Sequence, residues 1–129
     1  KILKKIIKIL KAKKIRVSLF IEANISDIRL SKFLGADCVE LHTGRFSKLL
    51  NENHKIKNLY LKIKKSADYA SKVGLEVHAG HGLTYKSLKK ISKIKSISEF
   101  NIGHFIVSES LFFGLNNVIK KFRKILVNK

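Results

Sequence analysis

Short β-branched segments alternate with amphipathic helical segments along this chain, and this alternation limits the folds that it can adopt. Each of the short segments is apolar and bounded by turn residues, which predicts buried strands over residues 15–21, 38–41, 75–79 and 97–102. The spacing of apolar residues between them predicts helices over 2–10, from Asn24 or Ser26 to 34, and over 56–73, 84–93 and 108–126. Strands separated by helices form parallel βαβ units, so we expect an α/β protein with a parallel sheet.

Two architectures contain such units, the doubly wound open sheet and the (β/α)8 barrel. No G-x-G-x-x-G motif follows the first predicted strand, which disfavours a dinucleotide-binding doubly wound fold. Polar residues lie at or just beyond the ends of all four strands: Glu22 and Asn24, Glu40 and His42, His78 and His81, and Asn101 and His104. Barrel enzymes assemble their active sites at this end of the strands, so the pattern favours a TIM barrel.

Four βα units amount to half of an eight-stranded barrel. The sequence therefore predicts that residues 1–129 are one half of a single barrel domain. The two outer strands of such a half would expose unpaired backbone groups unless another segment covered them. The chain contains no methionine, not even at position 1, which supports the expectation that it is a fragment.

The formal net charge of +19 is typical of proteins that bind nucleic acids or anionic membranes. The basic residues are, however, spread over every predicted helix, and nearly all are lysine, although arginine is the better bidentate ligand of bases and phosphates. Codons rich in A and T would also produce this excess of lysine. We expect no nucleic-acid or membrane partner, while a basic nucleic-acid-binding module and membrane-surface association of the first helix remain alternatives.

Neither a membrane-spanning apolar run nor a signal peptide is evident in the sequence, which makes a cytoplasmic location the expectation. Cys38 is the only cysteine, so an internal disulfide is excluded, and one thiol by itself does not define a metal site. We expect Cys38 to be a small core residue. His54 lies in a polar stretch and is expected to be solvated.

Two glycine–histidine loops are the strongest candidates for chemistry. His81 is flanked by Gly80 and Gly82 directly after the third strand. Glycines permit a tight turn and a close approach of backbone amides to a ligand, and a histidine can transfer protons near neutral pH. Gly103 and His104 follow the fourth strand, where barrels commonly bind phosphate. A purely structural role of these residues in turns is the alternative.

Glu40 is a carboxylate within an otherwise apolar strand. A buried carboxylate needs a partner or a raised pKa, which makes Glu40 a candidate acid, base or charge stabiliser. A structural ion pair with a lysine is the alternative. The residues that follow this strand, 42–45 (HTGR), offer further polar contacts, each weak evidence by itself.

Four segments resemble the pyridoxine 5′-phosphate synthase family in order and spacing: 17–21 (VSLFI), 35–45 (GADCVELHTGR), 79–85 (AGHGLTY) and 101–104 (NIGH). The resemblance implies a (β/α)8 barrel with extra helices that assembles into a homo-octamer, with residues 1–129 as the C-terminal half of the barrel, strands five to eight. It also implies condensation of 1-deoxy-D-xylulose 5-phosphate with 3-amino-2-oxopropyl phosphate to give pyridoxine 5′-phosphate, phosphate and water. No metal or organic cofactor is implied.

By motif match, His81 resembles the family's proton donor and Glu40 its transition-state-stabilising glutamate. Gly82, Gly103 and His104 resemble its binding site for 3-amino-2-oxopropyl phosphate. His78 stands where the family usually has asparagine, which predicts an additional titratable group near the catalytic loop. The general bases of the family lie in the half of the barrel that is absent here, so we expect the chain alone to be inactive. A different phosphate-binding barrel enzyme is the alternative.

Overall fold

A computed structural model describes residues 2–127; residues 1, 128 and 129 of the expected domain lie outside the described residues. The elements follow in the order α1 (Ile2–Ala12), β1 (Ser18–Ile21), α2 (Ile25–Leu34), β2 (Cys38–His42), α3 (Gly44–Asn51), α4 (Lys57–Lys72), β3 (Glu76–Gly80), α5 (Tyr85–Ile91), β4 (Glu99–Asn101), α6 (His104–Phe113) and α7 (Leu115–Val127). All four predicted strands are confirmed. The first and fourth are shorter than predicted.

The four strands form one parallel sheet in the order β1-β2-β3-β4. Neighbours in sequence are thus neighbours in space, as in a (β/α)8 barrel, whereas a doubly wound sheet reverses its strand order. The α/β class and the half-barrel arrangement are confirmed. Within residues 2–127, β1 pairs only with β2 and β4 only with β3, which leaves two edges.

The two faces of the sheet differ in chemistry. One face carries fully buried apolar side chains that pack in a common core with residues of α2, α4 and α5: Val39, Leu41, Val77 and Ala79. The other face carries Glu40, His78 and Asn101, and its Phe20 is 55% exposed. Successive residues of a strand point to opposite faces, so the polar positions of the sequence are collected on the side away from the helices.

Capping residues define two of the helices. Asn24 caps α2 by accepting a hydrogen bond at Oδ1 from Asp27 N (2.8 Å), and α2 ends at Gly35 with φ of 89°. Thr84 caps α5 in a reciprocal arrangement with Ser87. Of the two candidate capping residues, Asn24 and not Ser26 is therefore the N-cap of the second helix.

The prediction of one continuous final helix over residues 108–126 was wrong. Gly114, with φ of 75°, separates α6 from α7, and α6 begins at His104. Of five apolar residues of this segment, two are buried (Val118 and Phe122), and three are exposed (Leu111, Leu115 and Ile119). The glycine rotates the second half of the segment relative to the first, so a single helical periodicity does not hold across it.

Two further differences concern helices. α3 was not predicted, since residues 42–45 suggested a polar loop after the strand. In α1 only Ile7 is buried, although several other apolar residues share its helical periodicity. Within residues 2–127, no helix has both the length and the apolar character that crossing a membrane requires.

Asp37 links α1 to the sheet. Its carboxylate accepts hydrogen bonds from Lys11 Nζ (2.7 Å) and from Val17 N (3.0 Å). These bonds, that of Lys11 first, lower the pKa of Asp37 below its ordinary value of 3.8. Hydrogen bonds from Lys64 and Ser96 likewise lower the pKa of Asp68.

We expect stability to fall in acid and Asp37→Asn to weaken this dependence. Because the folded-state pKa is depressed, the carboxylate stabilises the fold above its ordinary pKa, and this contribution is lost as pH falls through the folded-state pKa. Asp37→Asn should cost about 1 kcal/mol near neutral pH and less near pH 3. Urea unfolding at both pH values measures this. An equal cost at both would show that the charge of Asp37 does not stabilise the fold.

Candidate active site

A cavity of about 200 Å³ lies where β3 and β4 end. Eight residues line it: His81, Gly82, Leu83, Asn101, Ile102, Gly103, His104 and Phe105. Four of the five residues singled out from the sequence are among them. The carboxyl ends of adjacent parallel strands lie at the same edge of the sheet, which is why residues 20 positions apart share one cavity.

Glu40 is connected to this cavity by Asn101, which lines the cavity and forms a hydrogen bond with Glu40. Asn101 Nδ2 donates a hydrogen bond to Glu40 Oε2 (2.8 Å), and Glu40 is half-buried. Glu40 forms no salt bridge with any residue from 2 to 127, so the alternative of a lysine ion pair finds no support among them. A Cβ at Gly80 would overlap Glu40 Oε1 and lie 2.9 Å from Glu40 Cδ, so the carboxylate occupies space that only glycine leaves free.

His81 is held in a left-handed backbone conformation with φ of 73°, and Gly82 follows with φ of 72°. Thr43, which is fully buried, fixes this turn to the end of β2. Its N donates to Gly80 O (2.8 Å), and its Oγ1 donates to Gly80 O (2.7 Å) and lies 2.9 Å from His81 O. Non-glycine residues at positive φ are strained and persist where neighbouring contacts enforce them, often at functional sites.

The His81 ring packs against His42, whose centroid is 4.7 Å away. Phe20 contacts both rings, at 5.2 Å from His42 and 6.3 Å from His81. Glu22 Oε1 lies 2.6 Å from His42 Nδ1 and orients that ring. A Cβ at Gly44 would lie 2.7 Å from His81 Cδ2, so this glycine allows the two histidines to meet.

The other wall of the cavity is the start of α6. The helix begins at His104, four residues earlier than predicted, and Gly103 is its N-cap. The first N–H groups of a helix have no partner within the helix and carry a partial positive charge. Together with the exposed imidazoles of His81 and His104, they make this cavity suited to an anion such as phosphate.

Other polar residues from the sequence lie elsewhere. His78 is 4% exposed, with Nε2 3.1 Å from Glu76 Oε1 and Nδ1 3.4 Å from Glu99 Oε1. It lies inside β3, three residues before His81, and contacts carboxylates at the start of β3 and β4, so a role near the catalytic loop stays a prediction. Asn24 is a helix cap, and His54 is exposed beside Glu52.

Cys38 is buried as expected. Among residues 2–127, no group of three or more His, Cys, Asp or Glu side chains is arranged to hold a metal ion. The expectation of a cofactor-free site remains a prediction.

The sequence did not identify Thr43 and Phe20 as parts of the site. Thr43 belongs to the segment after β2 that suggested weak polar contacts, and the parallel pairing of β2 with β3 brings it to the His81 turn. In the sequence, Phe20 is one of several apolar residues of the predicted strand 15–21, and nothing local separates it from the others. Alternation along β1 is the signal that distinguishes it, since Leu19 and Ile21 face the core and Phe20 must face the site.

Comparison with known proteins identifies similar chains. The family model described as pyridoxal phosphate biosynthesis protein PdxJ matches residues 1–128. Pyridoxine 5′-phosphate synthase of Pelagibacter ubique (strain HTCC1062) is 55% identical over 123 residues, which are 95% of this chain and 52% of that protein. The synthase of Sulfurihydrogenibium sp. (strain YO3AOP1) is 44% identical over 98% of this chain and 51% of its own. The chain thus spans about half the length of the curated relatives it matches.

Proposed function

This chain belongs to the family of the pyridoxal phosphate biosynthesis protein PdxJ, and we propose that it supplies half of the active site of a pyridoxine 5′-phosphate synthase. The observation that carries the proposal is the cavity at the ends of β3 and β4, which unites His81, Gly82, Gly103 and His104 beside Glu40. The reaction joins 3-amino-2-oxopropyl phosphate to 1-deoxy-D-xylulose 5-phosphate and releases phosphate and water.

In our proposal, this cavity binds the phosphate group of 3-amino-2-oxopropyl phosphate. The backbone N–H groups of Gly82 and Gly103 and of the first turn of α6 hold its oxygens, with His104 at the rim. These donors are fixed by the loop and by the helix before the ligand arrives, so little ordering is needed when it binds.

His81 then acts as proton donor and Glu40 as the stabilising carboxylate. Ring closure between an amine and a carbonyl releases water, and each oxygen that leaves needs a proton. The exposed His81 imidazole stands at the cavity and is oriented by its contact with His42. Positive charge that develops on the amine-derived nitrogen is stabilised by the carboxylate of Glu40, which Asn101 holds in place.

We further propose that residues 1–129 form the C-terminal half of a single barrel whose other half covers the polar face of the sheet. That face carries the exposed Phe20 and the half-buried Glu40, and it is bordered by β1 and β4, the outer strands of the sheet formed by residues 2–127. The other half would contribute the remaining catalytic bases and the contacts to 1-deoxy-D-xylulose 5-phosphate. The complete enzyme would be a cytoplasmic homo-oligomer, an octamer by resemblance to the family.

The proposal predicts that the chain by itself forms no pyridoxine 5′-phosphate and that fusion to the other half of the Pelagibacter ubique relative restores synthesis. The 55% identity between the two chains makes a matched barrel interface attainable. Product formation from the two phosphorylated substrates is measured by chromatography. The same fusion with His81→Ala is the control and should lose at least about 10²-fold in rate.

Two results would contradict this proposal. Synthesis by the isolated chain would show that the other half is not required. A folded fusion that binds inorganic phosphate and yet forms no product would instead favour a different phosphate-binding barrel enzyme.

A further inference from the structure

A second cavity lies on the helical side of the molecule, apart from the candidate active site. Its volume is about 770 Å³, within the usual range for small-molecule sites. It is formed by the end of α3, the 52–56 loop, the start of α4 and one side of α5. Ten residues line it: Leu50, Asn53, His54, Lys55, Ile56, Lys57, Tyr60, Lys86, Lys90 and Lys93.

Five lysines and no carboxylate line this cavity. The smaller basic cavities at Asp37 and at Asp68 each include an acidic residue in their walls, and a cavity beside α1 has no carboxylate but only three lysines. Lys86 donates to the neutral Asn53 Oδ1 (2.6 Å), and the other four lysines form no salt bridge with any described residue. The cavity therefore concentrates positive charge that the described part of the protein does not neutralise.

The spacing of three of these lysines makes the concentration of charge costly. Lys86, Lys90 and Lys93 follow one another at intervals of four and three residues along α5 and just beyond it. Like charges that are neighbours on a helix surface repel one another. An anion among them would replace this repulsion by attraction.

The floor of the cavity is apolar. Leu50 and Ile56 are buried there, and the half-buried Tyr60 ring lies 6.4 Å from Phe46. A ligand that matches both features has several negative charges for the rim and a flat organic body for the floor. Inorganic phosphate satisfies only the first requirement.

We propose that this cavity binds an organic polyphosphate of nucleotide size, with its ring over Ile56 and Tyr60 and its phosphates among the five lysines. Lysine binds phosphate as a mobile point charge, so the exposed ammonium groups need no fixed geometry in advance. The site is independent of the proposed synthase activity, because none of its residues lines the candidate active site.

Titration of ATP into the purified chain tests the proposal. At about 0.15 M salt we expect saturable binding at one site, with a dissociation constant on the order of 10–100 µM. Inorganic triphosphate, which lacks the ring, should bind at least about tenfold more weakly, because it leaves the apolar floor uncovered.

A charge-matched pair of variants separates this site from the general basic character of the chain. Lys90→Gln/Lys93→Gln should weaken ATP binding by about tenfold, since two contacts with phosphate are lost. Lys62→Gln/Lys89→Gln removes the same charge from exposed positions of α4 and α5 outside the cavity and should change binding less than about twofold.

Three outcomes would overturn the proposal. Equal losses in the two variants, or binding that does not saturate, would mean non-specific attraction of a polyanion to a basic surface. Equal affinity for inorganic triphosphate and ATP would show that the ring of the ligand does not contribute to binding. All four substituted side chains are exposed, so the core is unchanged in both variants, and circular dichroism verifies that each is folded.

Discussion

Replacing His81 by glycine is expected to stabilise the protein and to remove its proposed activity. The left-handed conformation of His81, at φ of 73°, costs an L-residue about 1–2 kcal/mol, and glycine avoids this cost. The greater freedom of glycine in the unfolded chain offsets about 0.5–1 kcal/mol of this cost, so a net gain of up to about 1.5 kcal/mol in the free energy of unfolding remains. Turnover of the completed enzyme should fall by about 10²–10⁴-fold, because the proton donor is lost.

Lys14→Gly is the matched control for this substitution. Lys14 also has a positive φ, of 58°, but lies in the turn between α1 and β1. The Lys14→Gly variant should gain free energy of unfolding as His81→Gly does, and it should keep full turnover. Urea unfolding and steady-state rates measure the two properties separately. Retained turnover in His81→Gly would exclude His81 as proton donor, and a loss of stability would show that the ring contacts of His81 with His42 and Phe20 outweigh the strain of its backbone.

The strands and the position of the site were accessible from the sequence, for a physical reason. Buried parallel strands are short, β-branched and apolar, so a carboxylate such as Glu40 or a histidine such as His81 stands out where it interrupts or ends them. Parallel pairing then places consecutive strand ends at one edge without any knowledge of side-chain packing. The meeting of His81, Gly103 and His104 at one cavity follows from this topology alone.

The contacts that fix the site were not accessible, because they depend on register and backbone conformation. Thr43 secures the His81 turn because β2 pairs with β3 in a register that places His42 opposite Gly80. This register cannot be deduced from the local sequence. That Asn101 is the partner of Glu40 depends on contacts that reach from β2 across β3 to β4. No local pattern in the sequence carries such information.

Helical periodicity identified apolar faces and did not reveal what covers them. In α6 no described residue is buried, although the helix is strongly apolar, and Phe112 is 80% exposed. In α1 only Ile7 is buried, and Ile2 is 76% exposed. An apolar helix surface avoids water in the native protein, and the surface that covers it need not lie within residues 2–127.

Gly80→Ala is expected to lower turnover of the completed enzyme by about 10–10²-fold with little change in stability. Gly80 is not at positive φ, so its backbone accepts alanine. The added Cβ would overlap Glu40 Oε1 and lie 3.1 Å from Asn101 Cβ, which drives the carboxylate away from Asn101 Nδ2. Glu40 is half-buried and flexible at its end, and the displacement should therefore cost catalysis and not the fold.

A double-mutant cycle assigns this loss to the carboxylate. Glu40→Ala alone should lower turnover by about 10²–10³-fold, as expected for removal of one electrostatic stabiliser. In that background the methyl group of Gly80→Ala has no carboxylate to displace, so the second substitution should cost less than about twofold. The Michaelis constant for 3-amino-2-oxopropyl phosphate should change little throughout, because the glycine amides and α6 that hold its phosphate are untouched. If Gly80→Ala lowers turnover equally with and without Glu40, the alanine disturbs the His81 turn directly, and Glu40 has no part in the effect.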